Sequence, residues 1–336
     1  MTRQLPWIFI LSLFTIACSS SPSESENDEG VRLDEFIIEE MEGELQVLSD
    51  EIILLKDHFE FLLANRDSLL PYANKTKYEL VDGFSVNTPS SDSTLSSVVI
   101  MESTPDYERA LENVHLTNAM DSAFYNIYHR YDILAQAYFN TADQMSRVFP
   151  AYDAKTLLEP DLDLSNFNFY YEADEKHNPS RGPVWIPEVY IDPAGRGWIL
   201  SLVQPVYDGD ELYAVIGLDI TVDDIINHFF YQDETDFLIV NYKGDIVGGN
   251  ASAIEALSFP PLLNHVYRES IRADNFRISD YNLFNSKNRE VREMAKAFIL
   301  EKKSKFEFED TFSPEVAYSV PFNLLDWYLL EIKSKP

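Results

Sequence analysis

One cysteine, six histidines and 57 carboxylates are the residues of this 336-residue chain best placed to do chemistry. Their spacing limits what that chemistry can be. The histidines (His58, His115, His129, His177, His228, His265) show no close metal-ligand spacing, and no His-Glu-x-x-His element occurs. No Gly-x-Ser-x-Gly elbow and no phosphate-cradling glycine loop is present. Asp161 and Asp163 in the run EPDLDLSN would open a calcium loop, but the expected Gly and closing Glu do not follow. Among so many acids, carboxylate pairs arise by chance and single out no acid–base couple. The sequence therefore predicts no enzyme, no metal site and no cofactor.

The setting of Cys18 is more informative. It is the only cysteine, so no intramolecular disulfide can form. Arg3 precedes an apolar run from Leu5 to Ala17. That run is shorter than the roughly 20 residues a membrane-spanning helix needs, and has the dimensions of a secretory signal. It ends in Thr15-Ile16-Ala17-Cys18, which resembles a bacterial lipobox with Thr15 in the place of the usual Leu. The resemblance implies a signal peptide over 1–17, cleavage before Cys18, lipidation of Cys18 and membrane attachment through that lipid alone. Ser19, not Asp, follows the cysteine, which by the same resemblance favours the outer membrane of a Gram-negative cell envelope. Residues 18–31 are small, polar and acidic, and predict a flexible tether.

The remainder is rich enough in apolar residues to fill a core, at 45% hydrophobic and 13% aromatic overall. Its net charge of −31 repels nucleic acid and anionic headgroups alike. Phe36, Ile37, Met41, Leu45, Leu48, Ile52, Leu55, Phe59, Leu62 and Leu63 recur at helical spacing, which predicts one long amphipathic helix stopping near Leu70-Pro71. A coiled-coil dimer and a helix docked on its own domain account for the stripe equally well. A second helix is expected from about Asp106 to Tyr131. The period then shortens to that of strands, around Leu134–Phe139, Met145–Pro150, Trp198–Val203 and Leu212–Ile220, with a turn at Asp208-Gly209. Further strands are expected at 237–241, 246–248, 305–312 and 327–332, and helices at 223–230 and 286–303. Strand runs with helices between them predict an α+β fold.

Three stretches, WIPEVYID from Trp185, WILSLVQPVY from Trp198 and VIGLDI from Val215, resemble the signature of the double-Cache family. FLIVNYKGDIVGG from Phe237 and the closing LDWYL resemble that family's membrane-proximal module. The resemblance spans roughly residues 34 to 332. It implies a long N-terminal helix (32–75) followed by two PAS-like modules with antiparallel sheets, membrane-distal (76–230) and membrane-proximal (231–336). It also implies a small organic ligand in the distal module. Amino-acid-binding members use an Arg-x-aromatic-aromatic element, a later Tyr and an Asp on a Gly-x-Asp-Ile strand. Tyr190 and Asp219 match the last two. The first aligns with Phe167-Asn168-Phe169-Tyr170, so Phe167 replaces the arginine that would grip a carboxylate. With Trp185, these residues are the candidate ligand-binding set: Phe167, Phe169, Tyr170, Trp185, Tyr190 and Asp219. Aromatic walls around one acid suit an amine or amino-acid-like cation, although the aromatics would serve equally as core and Asp219 as a strand-end cap. Asp192, at the turn Asp192-Pro193-Ala194-Gly195, is expected to serve that turn.

Two functional classes follow. One is a lipid-anchored extracytoplasmic sensor that binds a small molecule and presents it to an envelope partner. The other is a non-catalytic scaffold or adhesion protein using the fold for protein contacts. The lipid expectation has a direct test. Cys18→Ser should abolish incorporation of labelled fatty acid in cells, and unchanged labelling would remove the lipobox reading.

Overall fold

The structure is a computed structural model that describes residues 25–230, 235–260, 281–310 and 314–334. The expected signal peptide, Cys18 and the first part of the expected tether lie outside the described residues. No described helix is long and apolar enough to cross a membrane.

The long helix runs Ser25–Ala64, so it takes in residues 25–31, where the sequence predicts tether. Once a docked segment has nucleated a helix, adding residues to its end meets no new nucleation cost. From Ile37 to Leu63 the expected stripe is buried, with Met41, Leu45, Ile52 and Phe59 fully excluded from solvent. The helix ends six residues before Leu70. Asn65 Nδ2 donates to the Phe61 carbonyl at 2.8 Å, offering the backbone an alternative to another helical bond. A short turn, Arg66–Leu69, and a 3-10 turn through Pro71 follow.

Fourteen described strands form two antiparallel sheets. The first contains β1 (Leu80–Val81), β2 (Phe84–Ser85), β3 (Ser97–Ile100), β4 (Gln136–Thr141), β5 (Met145–Phe149), β6 (Val184–Trp185), β7 (Tyr190–Ile191), β8 (Trp198–Asp208) and β9 (Glu211–Thr221). Its order is β1-β2-β3-β5-β4-β9-β8-β6, with β7 also paired to β8. The second contains β10 (Phe237–Asn241), β11 (Ile246–Gly249), β12 (Lys305–Glu307), β13 (Val316–Pro321) and β14 (Trp327–Lys333), in the order β11-β10-β14-β13-β12. Both sheets thus hold five strands in the spatial order second, first, fifth, fourth, third. The fold is α+β: a long N-terminal helix and two PAS-like modules with antiparallel sheets. Strands β1–β3, β6, β7 and β13 are not expected from the sequence. Most are too short, or too polar, to show a period of two.

One core joins the helix to both sheets. Ala137, Phe139, Leu200, Leu202, Ile216 and Leu218 of the first sheet, and Ile239, Trp327 and Leu329 of the second, belong with the helix stripe to a single apolar cluster. The opposite face of the second sheet is closed by the helices Ala251–Ala256 and Arg289–Ala295. Polar ties reinforce the joint. Glu42 of the helix accepts the Leu324 N–H at 2.6 Å, Trp327 Nε1 donates to the Pro187 carbonyl at 3.4 Å, and Lys243 pairs with Glu188.

On the helix-facing side of β5, Arg147 is fully buried. Its Nη1 donates to Asp121 Oδ1 at 2.7 Å, and Tyr78 OH (2.8 Å) and Ser96 Oγ (2.6 Å) donate to the same oxygen. Lys77 Nζ lies 2.7 Å from Asp121 Oδ2. Burial alone would raise the Asp121 carboxyl, but Arg147, Lys77 and Ser96 together hold it below the ordinary range. The cluster fastens the loop around Lys77 and the helix Met120–Tyr128 to the sheet.

The helix stripe should dominate stability. Phe59→Ala should cost about 3–5 kcal/mol in urea unfolding, by lost burial and the cavity left behind. Leu54→Ala, on the exposed side, should stay within about 0.5 kcal/mol. Equal effects would mean the helix does not dock through this stripe.

Candidate ligand cavity

Alternation along β4 sends Ala137 and Phe139 to the helix, and Gln136, Tyr138 and Asn140 to the other face. There they meet Ser146 and Val148 of β5 and Asp219 of β9 around a cavity of about 40 Å³. Tyr152, Leu158, Leu162, Leu164 and Phe169 cover it from the segment after β5, and Tyr190 with Asp192–Ala194 covers it from β7 and the turn that follows. At roughly 10–15 Å³ for each water on this measure, the space holds about three waters.

Register builds the floor. Gln136 and Ser201 are the two cross-strand partners of Asp219. Gln136 Nε2 donates to Asp219 Oδ2 and Ser201 Oγ donates to Oδ1, both at 2.6 Å. Ser201 has one hydroxyl hydrogen, so at 2.7 Å the Tyr190 hydroxyl donates to Ser201. Gln136 Oε1 accepts from Arg196 Nε at 2.6 Å, and Arg196 Nη2 donates to the Pro150 carbonyl at 3.1 Å. Arg196 is not among the lining residues, and none of those is Lys, Arg or His.

The cavity therefore sets two buried carboxylates together. Asp192 accepts the Ala194 and Arg196 backbone N–H groups at 2.9 and 3.2 Å. It serves the turn, as its sequence position implies, and also lines the cavity. Burial raises its carboxyl. Burial, with the Asp192 charge added, pushes Asp219 up to about 7, against the opposing hydrogen bonds from Gln136 and Ser201 and the charge of Arg196. Tyr138 is buried; its hydroxyl interacts with those of Tyr190 and Ser201, and burial together with the Asp219 charge raises it. Its ring crosses β9 at Gly217, where a Cβ would fall 2.1 Å from Tyr138 Cζ. Only glycine leaves that ring its place. No cluster of His, Cys, Asp and Glu suited to a metal occurs among the described residues.

Of the six residues proposed from sequence, Phe169, Tyr190 and Asp219 line the cavity. Phe167 stacks behind Phe169, ring centroids 5.0 Å apart and 12° from parallel. Tyr170 is buried in the same apolar cluster without lining the space. Trp185 sits on the other face of the sheet, where its Nε1 donates to Ser49 Oγ of the long helix at 3.2 Å. Sequence reasoning misses Gln136, Tyr138, Asn140, Ser146, Tyr152 and Asp192. A strict period of two through Gln136–Asn140 is the signal that could have found the first three.

No protein family model and no curated protein matches this sequence. Among solved structures, it is similar to the sensory domain of the Campylobacter jejuni chemoreceptor Tlp3 with isoleucine bound, at 12% identity and a TM-score of 0.43, over 89% of this chain and 96% of that one. It is also similar to the ligand-binding domain of the Pseudomonas aeruginosa PAO1 amino acid chemoreceptor PctB in complex with L-Gln (16%, 0.40, 61% and 69%). A third is that of the Pseudomonas fluorescens chemoreceptor CtaA with L-valine (16%, 0.39, 61% and 74%). At such scores a functional reading rests on the cavity's own residues.

The raised Asp219 carboxyl has a measurable signature. Its unfolded value is about 3.9, so between about pH 4 and 7 the folded state keeps a proton that the unfolded state has released. The stability this group contributes is full below pH 4 and is lost as pH rises toward 7. Asp219→Asn should flatten that slope in chemical denaturation. A wild-type-to-variant difference that stays constant from pH 4 to 8 would refute the raised carboxyl.

Proposed function

We propose that the chain is a non-catalytic, lipid-anchored binding protein of double-Cache type, displayed outside the cytoplasm, which captures a small organic cation in its first module. The observation that carries this is the buried Asp219, beside Asp192, in a cavity with no lining cation. Two carboxylates withdrawn from water are unfavourable, and Arg196, bonded to the far side of Gln136, offsets their charge only in part, since both carboxyls stay raised. A ligand ammonium supplies a charge in direct contact, its N–H groups donating to the Asp219 carboxylate that lines the cavity. The rings of Tyr138, Tyr152, Phe169 and Tyr190 exclude water and add cation–π attraction.

The same wall argues against an α-carboxylate on the ligand. No lining arginine offers the two-pronged grip that a carboxylate needs, and Phe167 occupies the sequence position where such a residue is expected. A primary or secondary amine, or a polyamine terminus, fits the charge better than a zwitterionic amino acid. Anything larger than a few waters requires the covering segments to yield, and these are loops, short helical turns and the two-residue strand β7.

A thermal-shift screen of the protein against amines, polyamines, zwitterionic amino acids and small carboxylates tests this reading. A ligand at 100 times its Kd should add about 2.7 kcal/mol of stability, a shift of several degrees. Amines should give that shift. Asp219→Asn should weaken binding at least tenfold, as expected for loss of a charged hydrogen bond worth about 1.5–3 kcal/mol. Affinity should also rise from pH 6 to pH 8, because the ammonium binds the ionised carboxyl. A response to carboxylates alone, or silence across the panel, would overturn the proposal.

A further inference from the structure

The long helix carries a second apolar row that the described residues do not bury. Phe36, Val47, Leu54 and Phe61 are 61%, 44%, 60% and 58% exposed. At about 100° per residue they fall within about 40° of one another, roughly 140° from the centre of the docked stripe, along about 38 Å of helix. Single exposed apolar residues are ordinary. Four of them in one row, three at heptad spacing, on a helix whose other side already fills the core, form a ridge of the kind that meets another helix. Gly43 lies in the same row, and a Cβ there would touch nothing within 4 Å. A glycine inside a helix costs about 0.5–1 kcal/mol relative to alanine, and here it leaves a notch where a second backbone can come close.

The charges beside the ridge decide what can dock. Exposed Glu39, Glu40, Asp50 and Asp57 border it. Between residues 35 and 64 there are nine acids and one lysine. That lysine, Lys56, is on the far side, half-buried and paired with Asp57 and Glu60 at 3.2 and 3.3 Å. A second copy of the chain would bring acid against acid in either orientation; parallel pairing would set Asp50 and Asp57 against themselves. The net charge of −31 adds to that repulsion. We propose that this outward face docks an amphipathic helix of a different protein, one with an apolar ridge flanked by lysine or arginine. Such a partner buries the four side chains and brings cations to the acids that border them. The surface is independent of the cavity and of what fills it.

The test uses the full chain and three labelled peptides of 25 residues. The first has leucine at heptad positions a and d with lysine flanks, the second the same leucines with glutamate flanks, and the third is a scramble of the first. Fluorescence anisotropy should show the first binding at least tenfold more tightly than either control, and more weakly as salt is raised from 50 to 500 mM. The variant Leu54→Ser/Phe61→Ser keeps every charge and should lose at least tenfold in affinity with its melting temperature unchanged. Equal binding of the scramble would reduce the effect to net charge and overturn the proposal. So would an unaffected variant, or a dimer in light scattering that the variant dissolves, since a second copy would then occupy the face.

Discussion

A strand must turn alternate side chains to opposite faces, and the first module is organised around that constraint. Residues 136–141 give Ala137 and Phe139 to the helix-facing core, and Gln136, Tyr138 and Asn140 to the cavity. The same division separates Ser201 from Leu200 and Leu202, and Asp219 from Leu218 and Ile220. A shift of one residue in pairing would bury the acid against the helix and expose the apolar row to the cavity. The helix is what prevents such a slip. Its stripe accepts only the apolar set, so it fixes register on a face it never touches.

That arrangement lets one sheet do two incompatible things. Its helix-facing side gains stability by burying apolar surface, and the buried ion pair there, Arg147 with Asp121, is surrounded by donors. The cavity side holds groups that are worse off folded than unfolded: Asp219 and Asp192, whose carboxyls burial raises. Residues that destabilise a fold in this way persist where they serve binding. The contrast between Asp121, held below the ordinary range, and Asp219, held above it, separates a structural acid from a candidate binding acid although both are buried.

Much of this is legible in the sequence, and what is not has physical causes. The helix stripe is readable because 3-4 spacing sustained over about seven turns matches the 3.6-residue helical period and no strand period. The long hairpin of β8 and β9 is marked by Asp208-Gly209, and Gly209 does take a positive φ of 66°. Helix 106–131 is expected unbroken, yet a 3-10 turn at Thr117–Ala119 divides it, where the Thr117 hydroxyl bonds back to the Asn113 carbonyl at 2.6 Å. Within the site, Asp219 and Tyr190 stand out only through resemblance to a family pattern, while Gln136 and Tyr138 need only the alternation of one strand. Trp185 falls on the wrong face because a short edge strand gives no phase: two residues cannot show which face each one takes. Asp192 reads as a turn residue, and it is one; nothing in sequence says that a turn will fold over a cavity.

The segment that covers the cavity is also a bearing of the second module. Val189 alone separates Tyr190, in the cavity wall, from Glu188, which pairs with Lys243, and the preceding Pro187 carbonyl takes the Trp327 indole N–H. Residues 187–190 therefore join the cavity wall to the second sheet, with the shared helix packed behind both.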